Sequence, residues 1–392
     1  MANNKVQLSD GTVLLDLTGD TVTPETLAAG VTAHNAAGER IVGTAVGIKL
    51  TEIAVTTAPK KTAYKAGETF DPAGMVVTAT YSNGATLTSP SYTFSPAGAL
   101  TASDTAITIT YTEGGVTKTA TQAITVIVPI ASTSAVPGVT YTAGLPGLEA
   151  SDVTAFAEAI SKNSDITNET TTVYVDFGSV HRKISVGDQV TLPLDGTNYA
   201  FDVIGFNHDT LTTPTAYGAA TATGKAGITF QMHDLFATNF VMNDSQTNAG
   251  GWKSSKMRTS TMVTMKGYLP AAWQTAIKPV NKLSGVGGGA SSGTEVVSDD
   301  CFSLAEGEIF GPGYGYGGNG YSFDDECAKV TQYAYYKAGN SKVKNQNGSA
   351  RNWWERSPLS GADSSFCRVT NGGNAASDGA KTTYGVAFGF CV

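Results

Sequence analysis

Apolar and polar positions alternate in short bursts through the first third of the chain. The bursts at 52–57, 75–81, 92–95, 106–112 and 118–127 each read as a strand of period two. Ser82-Asn83-Gly84 and Glu113-Gly114-Gly115 supply turns between them. Strands at this spacing predict an antiparallel sandwich over 49–128. Before it, residues 1–46 hold two strand-like pieces, VQLSDGTVLLDL and ERIVGTAVGI, around Thr23-Pro24-Glu25. That triplet reads as a helix start, with a Thr cap, Pro at the first helical position and Glu against the dipole; Gly30 reads as its stop. So small a unit cannot bury much core alone, and it is expected to pack on another chain or on itself. Residues 129–147, made of small residues, Pro and Gly, read as a linker.

From residue 148 the period changes. Ser151 is expected to cap a helix whose Val153, Phe156, Ala157 and Ile160 form one stripe. Strands are expected at 171–177 and 199–206. Helices are expected at 270–282, with Trp273, Ile277 and Val280 on one face, and at 324–338, stopped by Gly339. The last fifty residues read as short strands and Gly-rich loops. The chain is therefore expected to be multidomain: a small β-rich module, an all-β sandwich, then one α+β domain over 148–392.

Composition sharpens this division. The first 150 residues hold 29 Thr and no Trp, whereas Trp252, Trp273, Trp353 and Trp354 all lie beyond residue 250. Charged residues make up 15% and the net charge is −8; a nucleic-acid binder would need a basic face to meet phosphates. The same charge argues against an anionic membrane surface, and no apolar run is long enough to span a bilayer. The first residues lack the basic-then-apolar pattern of a secretory signal. Four cysteines, Cys301, Cys327, Cys367 and Cys391, fall in the last quarter, and without a signal free thiols are expected.

Familiar catalytic spacings are present without their context. Gly289-Ala290-Ser291-Ser292-Gly293 matches a nucleophile elbow but lies in a run of small residues rather than between strand and helix. The GxGxxG at 313–318 has no βαβ setting and reads as an aromatic loop with Tyr314, Tyr316 and Tyr321. His34, His181, His208 and His233 are scattered. The acidic pairs Asp299-Asp300 and Asp324-Asp325-Glu326 read as helix-dipole complements. No catalytic residue, metal ligand or cofactor is expected.

The 350–392 segment carries the strongest pattern, because two kinds of position interleave there. Trp353, Trp354, Arg356, Pro358, Phe366, Cys367, Val369, Ala375, Gly385, Val386, Phe388, Phe390 and Cys391 look like a buried frame. Between them stand small or polar residues with no periodic logic: Leu359, Ala362, Asp363, Ser364, Ser365, Arg368, Thr370, Asn371, Gly373, Ala376, Ser377, Asp378, Gly379, Thr382, Thr383 and Tyr384. A fixed frame bearing a mixed exposed face is the layout of a recognition surface. Arg368, Thr370, Asn371, Ser377, Asp378, Thr382 and Tyr384 are expected on one exposed patch, with Phe366, Val369, Val386 and Phe388 pointing inward. Arg368 and Tyr384 are the expected hot spots.

Three resemblances follow from these residues. The 49–128 segment, LTEIAVTTAPKKTAYKAGETFDPAGMVVTATYSNG through ITITYTEGGVTKTATQAITV, resembles a bacterial Ig-like domain, a spacer or stalk; it lacks the Cys…Trp…Cys of antibody domains. LLDLTGDTVTPETLAAGVTAHNAAGERIVGT is similar to an attachment or oligomerisation module of phage tail and baseplate-associated proteins. The motifs Trp353-Trp354-Glu355-Arg356-Ser357-Pro358, Phe366-Cys367-Arg368-Val369 and Gly385-Val386-Ala387-Phe388-Gly389-Phe390-Cys391 resemble the variable region of diversity-generating retroelement target proteins, which carry a C-type-lectin fold. MNDSQTNAGGWKSSKMR and DCFSLAEGEIFG resemble the body of that fold.

The last resemblance implies a receptor-binding protein of a phage tail tip, located on the virion tail. Its face would be altered by adenine-specific mutagenesis. An Asn codon changed at its two adenines yields Asp, Ser, Thr, Gly, Ala, Arg, Leu or Tyr, and the interleaved positions are drawn almost wholly from that set; Lys381 is not. The implied partners are a host-cell surface receptor, protein or glycan, the phage tail or baseplate proteins, and further copies of the chain in a homotrimer. A bacterial cell-surface adhesin built on the same domain is the alternative. The scaffold also resembles that of formylglycine-generating enzymes, whose chemistry needs a reactive Cys pair. The Glu-Pro-Asn and Trp-Asn-Asp calcium-site signatures of sugar-binding lectins are absent from the sequence.

Overall fold

The computed structural model describes residues 3–392, which form two compact units, divided between Val126 and Ile127. Both are built mainly from strands and loops. No described helix is long and apolar enough to cross a membrane.

The first unit opens with two antiparallel hairpins, Lys5–Gln7 with Val13–Asp16 and Thr32–His34 with Arg40–Val42. The helix expected from Thr23 is a single turn. The Pro24 carbonyl accepts from the Thr44 N–H (2.6 Å) and the Leu27 carbonyl from the Ala45 N–H (3.0 Å). These sheet-like bonds take the acceptors that a helix would use, and one turn cannot offset the nucleation cost. Between residues 3 and 48 only Gly38 and Gly43 are buried. Leu14, Val46 and Ile48 are 61%, 76% and 63% exposed, so this module has no apolar core of its own.

The rest of the first unit follows the alternation. Leu50–Thr57, Val76–Tyr81 and Thr86–Thr88 form one three-stranded sheet; Thr93–Ser95, Ala106–Glu113 and Val116–Ala123 form another. Val77 and Ala79 from the first, and Ile107 and Ile109 from the second, enter one core with Leu50, Ile53, Tyr64 and Phe70. The β-branched residues that interleave with them face outward, as a two-sheet sandwich requires. The short strands Ala63–Lys65 and Thr86–Thr88 were not expected.

In the second unit the supposed linker is part of the fold. Ile130–Ser132 pairs with Thr172–Phe177, and Thr142–Ala143 runs parallel to Val180–Ser185, completing a four-stranded sheet. The helix Ala150–Lys162 starts one residue before Ser151, so the cap position falls on Glu149, whose side chain makes no cap bond. Its Val153, Phe156, Ala157 and Ile160 are buried as the stripe predicts. The helix expected at 270–282 ends at Ala276, because Pro279 disfavours helical backbone before it; Val280–Gly285 is instead a strand. Trp273, Ile277 and Val280 are nevertheless all buried. The 324–338 helix is split into Asp324–Cys327 and Ala334–Lys337. Between them the Tyr333 N–H donates to the Glu308 carbonyl (3.0 Å) and the Gln332 amide to the Ile309 carbonyl (2.9 Å), which pulls the backbone off its helical path.

Two further sheets organise the unit. In the five-stranded sheet the order is Gln189–Leu194, Thr197–Phe206, Ile228–Met232, Gly389–Cys391, Cys301–Phe302. The strand at 389–391 thus lies between partners 160 and 89 positions earlier (Phe230 and Cys301 against Phe390), and Phe388, Phe390 and Phe201 pack around it. The three-stranded sheet is Trp353–Pro358, Ser365–Val369, Ala375–Gly379.

A buried ionic network joins these parts. The fully buried Arg356 guanidinium grips Glu308 with two bonds (2.6 and 2.8 Å) and donates to the Leu283 and Ser303 carbonyls. The Lys282 ammonium meets Glu308 (2.8 Å) and Asp209 (2.7 Å), and the Tyr333 hydroxyl completes Asp209 (2.9 Å). Burial alone would raise the Glu308 carboxyl, but Arg356 and Lys282 outweigh it and bring it down to about 2.

A surface device makes stability pH-dependent. The His233 Nδ1 lies 2.9 Å from the buried Asp202 carboxylate, and this bond raises the imidazole above its usual value. A raised folded-state value contributes stability that is full below the unfolded value near ~6.5 and is lost as pH rises through the folded value. Thermal melts from pH 5 to 9 are expected to fall over that interval in the parent and to flatten there in His233→Gln; parallel curves would rule the pair out.

Candidate ligand-binding face

The interleaved positions cluster where the three-stranded sheet meets the loops that follow it. The central strand, Ser365–Val369, pairs without slip to Ala375–Gly379: Ser365 with Gly379, Phe366 with Asp378, Cys367 with Ser377, Arg368 with Ala376 and Val369 with Ala375. Side chains alternate across a strand and cross-strand partners share a face. Phe366, Arg368, Ala376 and Asp378 therefore lie on one face, and Cys367, Val369, Ala375 and Ser377 on the other.

Asp378 is the hub of the first face. Its carboxylate accepts from the Tyr384 hydroxyl (2.5 Å), the Thr382 hydroxyl (3.2 Å) and the Gly379 N–H (2.8 Å), and sits 3.7 Å from the Arg368 Nε. Burial raises this carboxyl, but the three hydrogen bonds and Arg368 outweigh it, leaving it below the usual range. Burial and the bond to Asp378 push the Tyr384 phenol up. The Arg368 guanidinium lies 5.0 Å from the Tyr384 ring centroid, and that ring meets Trp354 edge-on at 5.0 Å. Trp354 in turn donates to the Phe240 carbonyl (2.9 Å). An amphipathic aromatic ring, a guanidinium and a carboxylate are thus fixed side by side, a combination that meets apolar, anionic and hydrogen-bonding groups alike.

The loops beside this cluster are held by their main chain. Asn248, fully buried, donates to the Ala362 and Ser365 carbonyls (both 2.8 Å), and its own N–H donates to the Asp363 carbonyl (2.8 Å). Its side-chain oxygen accepts from the Gly288 N–H (2.7 Å). Gln246 donates to the Ser364 carbonyl and accepts from the Lys381 N–H. The Gly289-to-Gly293 stretch, the run of small residues that matched a nucleophile elbow, lies in the connection between the strands Val280–Gly285 and Thr294–Asp299. From there the Ala290 carbonyl accepts from the Gly361 N–H (2.9 Å).

None of the sixteen interleaved positions is buried. Asp363, Asn371 and Thr383 are exposed; Leu359, Ala362, Ser364, Ser365, Arg368, Thr370, Gly373, Ala376, Ser377, Asp378, Gly379, Thr382 and Tyr384 are half-buried. The frame around them is buried except for Ala375, which is half-buried.

Three expectations need correction. Ser377 does not join the Arg368 face; pairing with Cys367 turns it to the other side. Of the seven residues expected on one exposed patch only Asn371 is exposed and the other six are half-buried, because both faces of the central strand are covered; Phe366 and Val369 are buried as expected, on opposite faces. Gly373 has φ +81° and an added Cβ would stand 3.3 Å from Val343, so the hairpin turn, not recognition, demands glycine there.

Sequence reasoning placed Trp354 in the frame and missed its contact with Tyr384. It gave Gln246 and Asn248 no individual role, since a lone amide carries no periodic signal. All four cysteines are buried free thiols; burial pushes Cys327 up to about 12 and raises Cys301, Cys367 and Cys391 as well. Cys367 does not lie in a purely apolar setting, because Glu306 and Glu355 adjoin it.

Two family models match parts of the chain. One, described as a bacterial Ig-like domain (group 3), matches residues 57–126, the two-sheet sandwich. The other, described as a domain of unknown function (DUF6273), matches residues 226–392 and so contains the whole face with the strands and amides beneath it. No curated protein matches the chain.

The division between frame and face has a measurable energetic form. Trp354→Ala is expected to cost ~3–5 kcal/mol, as for a buried Trp, while Asn371→Ala and Thr383→Ala should stay within ~0.5 kcal/mol. Denaturant melts compare the three; equal losses would abolish the distinction.

Proposed function

We propose that this protein is a receptor-binding adhesin of a phage tail tip, presenting a retroelement-diversified face on a C-type-lectin-like scaffold. The observation that carries the reading is the way the face is held. Its loops are gripped through backbone carbonyls and N–H groups by Asn248 and Gln246, and none of the sixteen interleaved residues is buried. Outside Gly373, where the turn needs glycine, and Gly379, where an added Cβ would run into Gln246, side chains held this way can change without loss of the fold, as diversification requires. The resemblance of the WWERSP, FCRV and GVAFGFC motifs to retroelement targets supports the same reading.

In this reading the Ig-like domain spaces the face from the tail, and the 1–46 module attaches it. Binding comes from rigid anchors, Tyr384 and Arg368, beside small adaptable polar side chains. Repeated copies turn weak single contacts into avidity. The receptor is a host-surface protein or glycan.

Binding is tested by adsorption of the full chain to a panel of bacterial strains. Arg368→Ala and Tyr384→Ala are expected to weaken adsorption at least ~30-fold, about 2 kcal/mol, the range of interface hot spots. Lys118→Ala in the Ig-like domain should leave it unchanged. Unaltered adsorption in both face variants would sink the proposal. In the coding DNA, a near-repeat of the 350–392 segment differing only at adenines, beside a reverse-transcriptase gene, is the corresponding genetic signature.

Assembly is the second test. A module with no buried apolar side chain among its described residues needs partners to hide Leu14, Val46 and Ile48. Light scattering is expected to give a trimer for the full chain and a monomer for residues 127–392, the boundary that keeps the 130–132 and 142–143 strands. A monomeric full chain would defeat this part of the reading.

A further inference from the structure

Beneath the face lies a group of buried acids that the ionic network does not neutralise. Arg356 and Lys282 are already matched, charge for charge, by Glu308 and Asp209. Three further carboxyls, Glu306, Glu326 and Glu355, are fully buried in the same region. Glu326 is occupied by the Ser357 hydroxyl (2.5 Å) and the Gly285 N–H (2.9 Å). Glu306 is oriented by the backbone N–H groups of Tyr321 and Ser322. Glu355 differs: both its oxygens are buried and neither has a hydrogen-bond partner. An unpartnered carboxylate in such a place is costly to retain.

Its surroundings suggest what meets it. One carboxylate oxygen of Glu306, one of Glu355 and the Cys367 sulfur all lie within 4.8 Å of one another. The three come from separate elements: the first residue of the helix Glu306–Phe310, the irregular stretch between Trp354 and Pro358, and the central strand of the face sheet. We propose that Glu306, Glu355 and Cys367 form a buried site for one divalent cation of the zinc type.

The donor chemistry selects that class. Calcium and magnesium take oxygen ligands only, whereas a thiolate beside carboxylates suits zinc, which accepts both. Zinc–ligand bonds of about 2.0–2.3 Å place tetrahedral donors about 3.5 Å apart, so side-chain rotation of about an ångström closes the group around an ion. Burial pushes Glu306, Glu355 and Cys367 all upward, the cost of three uncompensated charges that a divalent cation among them would offset. The ion would tie the helix at 306 to the two strands that carry Trp354 and Arg368, fixing the frame from below. This site is independent of what the face binds.

The test uses the full chain, purified without chelator or metal-affinity steps. Elemental analysis is expected to give about one zinc per chain, and stripping it should lower the melting temperature. Cobalt substitution should produce a sulfur-to-cobalt charge-transfer band that Cys367→Ser abolishes. Glu355→Gln, which keeps the shape, should lose the metal and melt below the parent. A metal-free chain whose melting ignores added Zn2+ overturns the proposal, as does metal retained by both variants or a Glu355→Gln that melts at or above the parent. Should either variant fail to fold, the parent's zinc content and its melting response to Zn2+ decide alone.

Discussion

A guanidinium with no access to water sets the terms for the second unit. Arg356 makes four hydrogen bonds within a shell formed by Glu308 and two backbone carbonyls, and Glu308 is shared with Lys282, which in turn holds Asp209. Each charge is tolerable only because its neighbour is in place; removal of one partner from such a pair typically costs about 3–5 kcal/mol. The network therefore demands that residues near 209, 282, 308 and 356 arrive together. The face strands cannot drift relative to the helix at 306 without breaking it, and the aromatic contacts of Trp354 inherit that rigidity.

Over this anchored base the molecule separates two tasks that most surfaces combine. The loops at 359–364 and 379–383 get their shape from amide-to-backbone bonds, chiefly those of Asn248 and Gln246. Backbone groups are the same in every residue except proline, so such a grip is indifferent to side-chain identity. The Asp378–Tyr384–Arg368 cluster shows the other regime, in which side chains hold one another. The face thus contains positions free to vary singly, such as Asn371 and Thr383, and positions that form a coupled set.

Much of this was legible in the chain, for physical reasons that differ by element. The Ig-like strands announced themselves because Val77, Ala79, Ile107 and Ile109 alternate with polar residues along a half-buried sheet. The 150–162 helix showed the 153/156/157/160 stripe. What stayed hidden depends on distant partners. Ile130–Ser132 and Thr142–Ala143 become strands only because 172–177 and 180–185 are there to pair with them. The spacing of Trp273, Ile277 and Val280 imitates a helix, yet burial is all they share. At the face, the frame was readable from its large apolar residues, and the mixed composition of the interleaved positions was readable too. Their division between two faces was not, because it rests on strand register. Glu355 went unread because a single acid inside an apolar string gives no sign of its neighbours.

The position of Gly389–Cys391 has a consequence for how the molecule comes into being. This strand fills the gap between Ile228–Met232 and Cys301–Phe302, so the largest sheet stays split until residues beyond the face have been made. During synthesis the segment that carries the interleaved positions emerges while its foundation is still open, and closure comes afterwards in one long-range step. Any change in that segment which derails the chain leaves a slot exposing Phe230 and Phe302 rather than a native-looking molecule with a damaged face. Completion of the sheet thus depends on the segment that precedes it: the strand at 389–391 finds its slot only when residues 350–388 have folded.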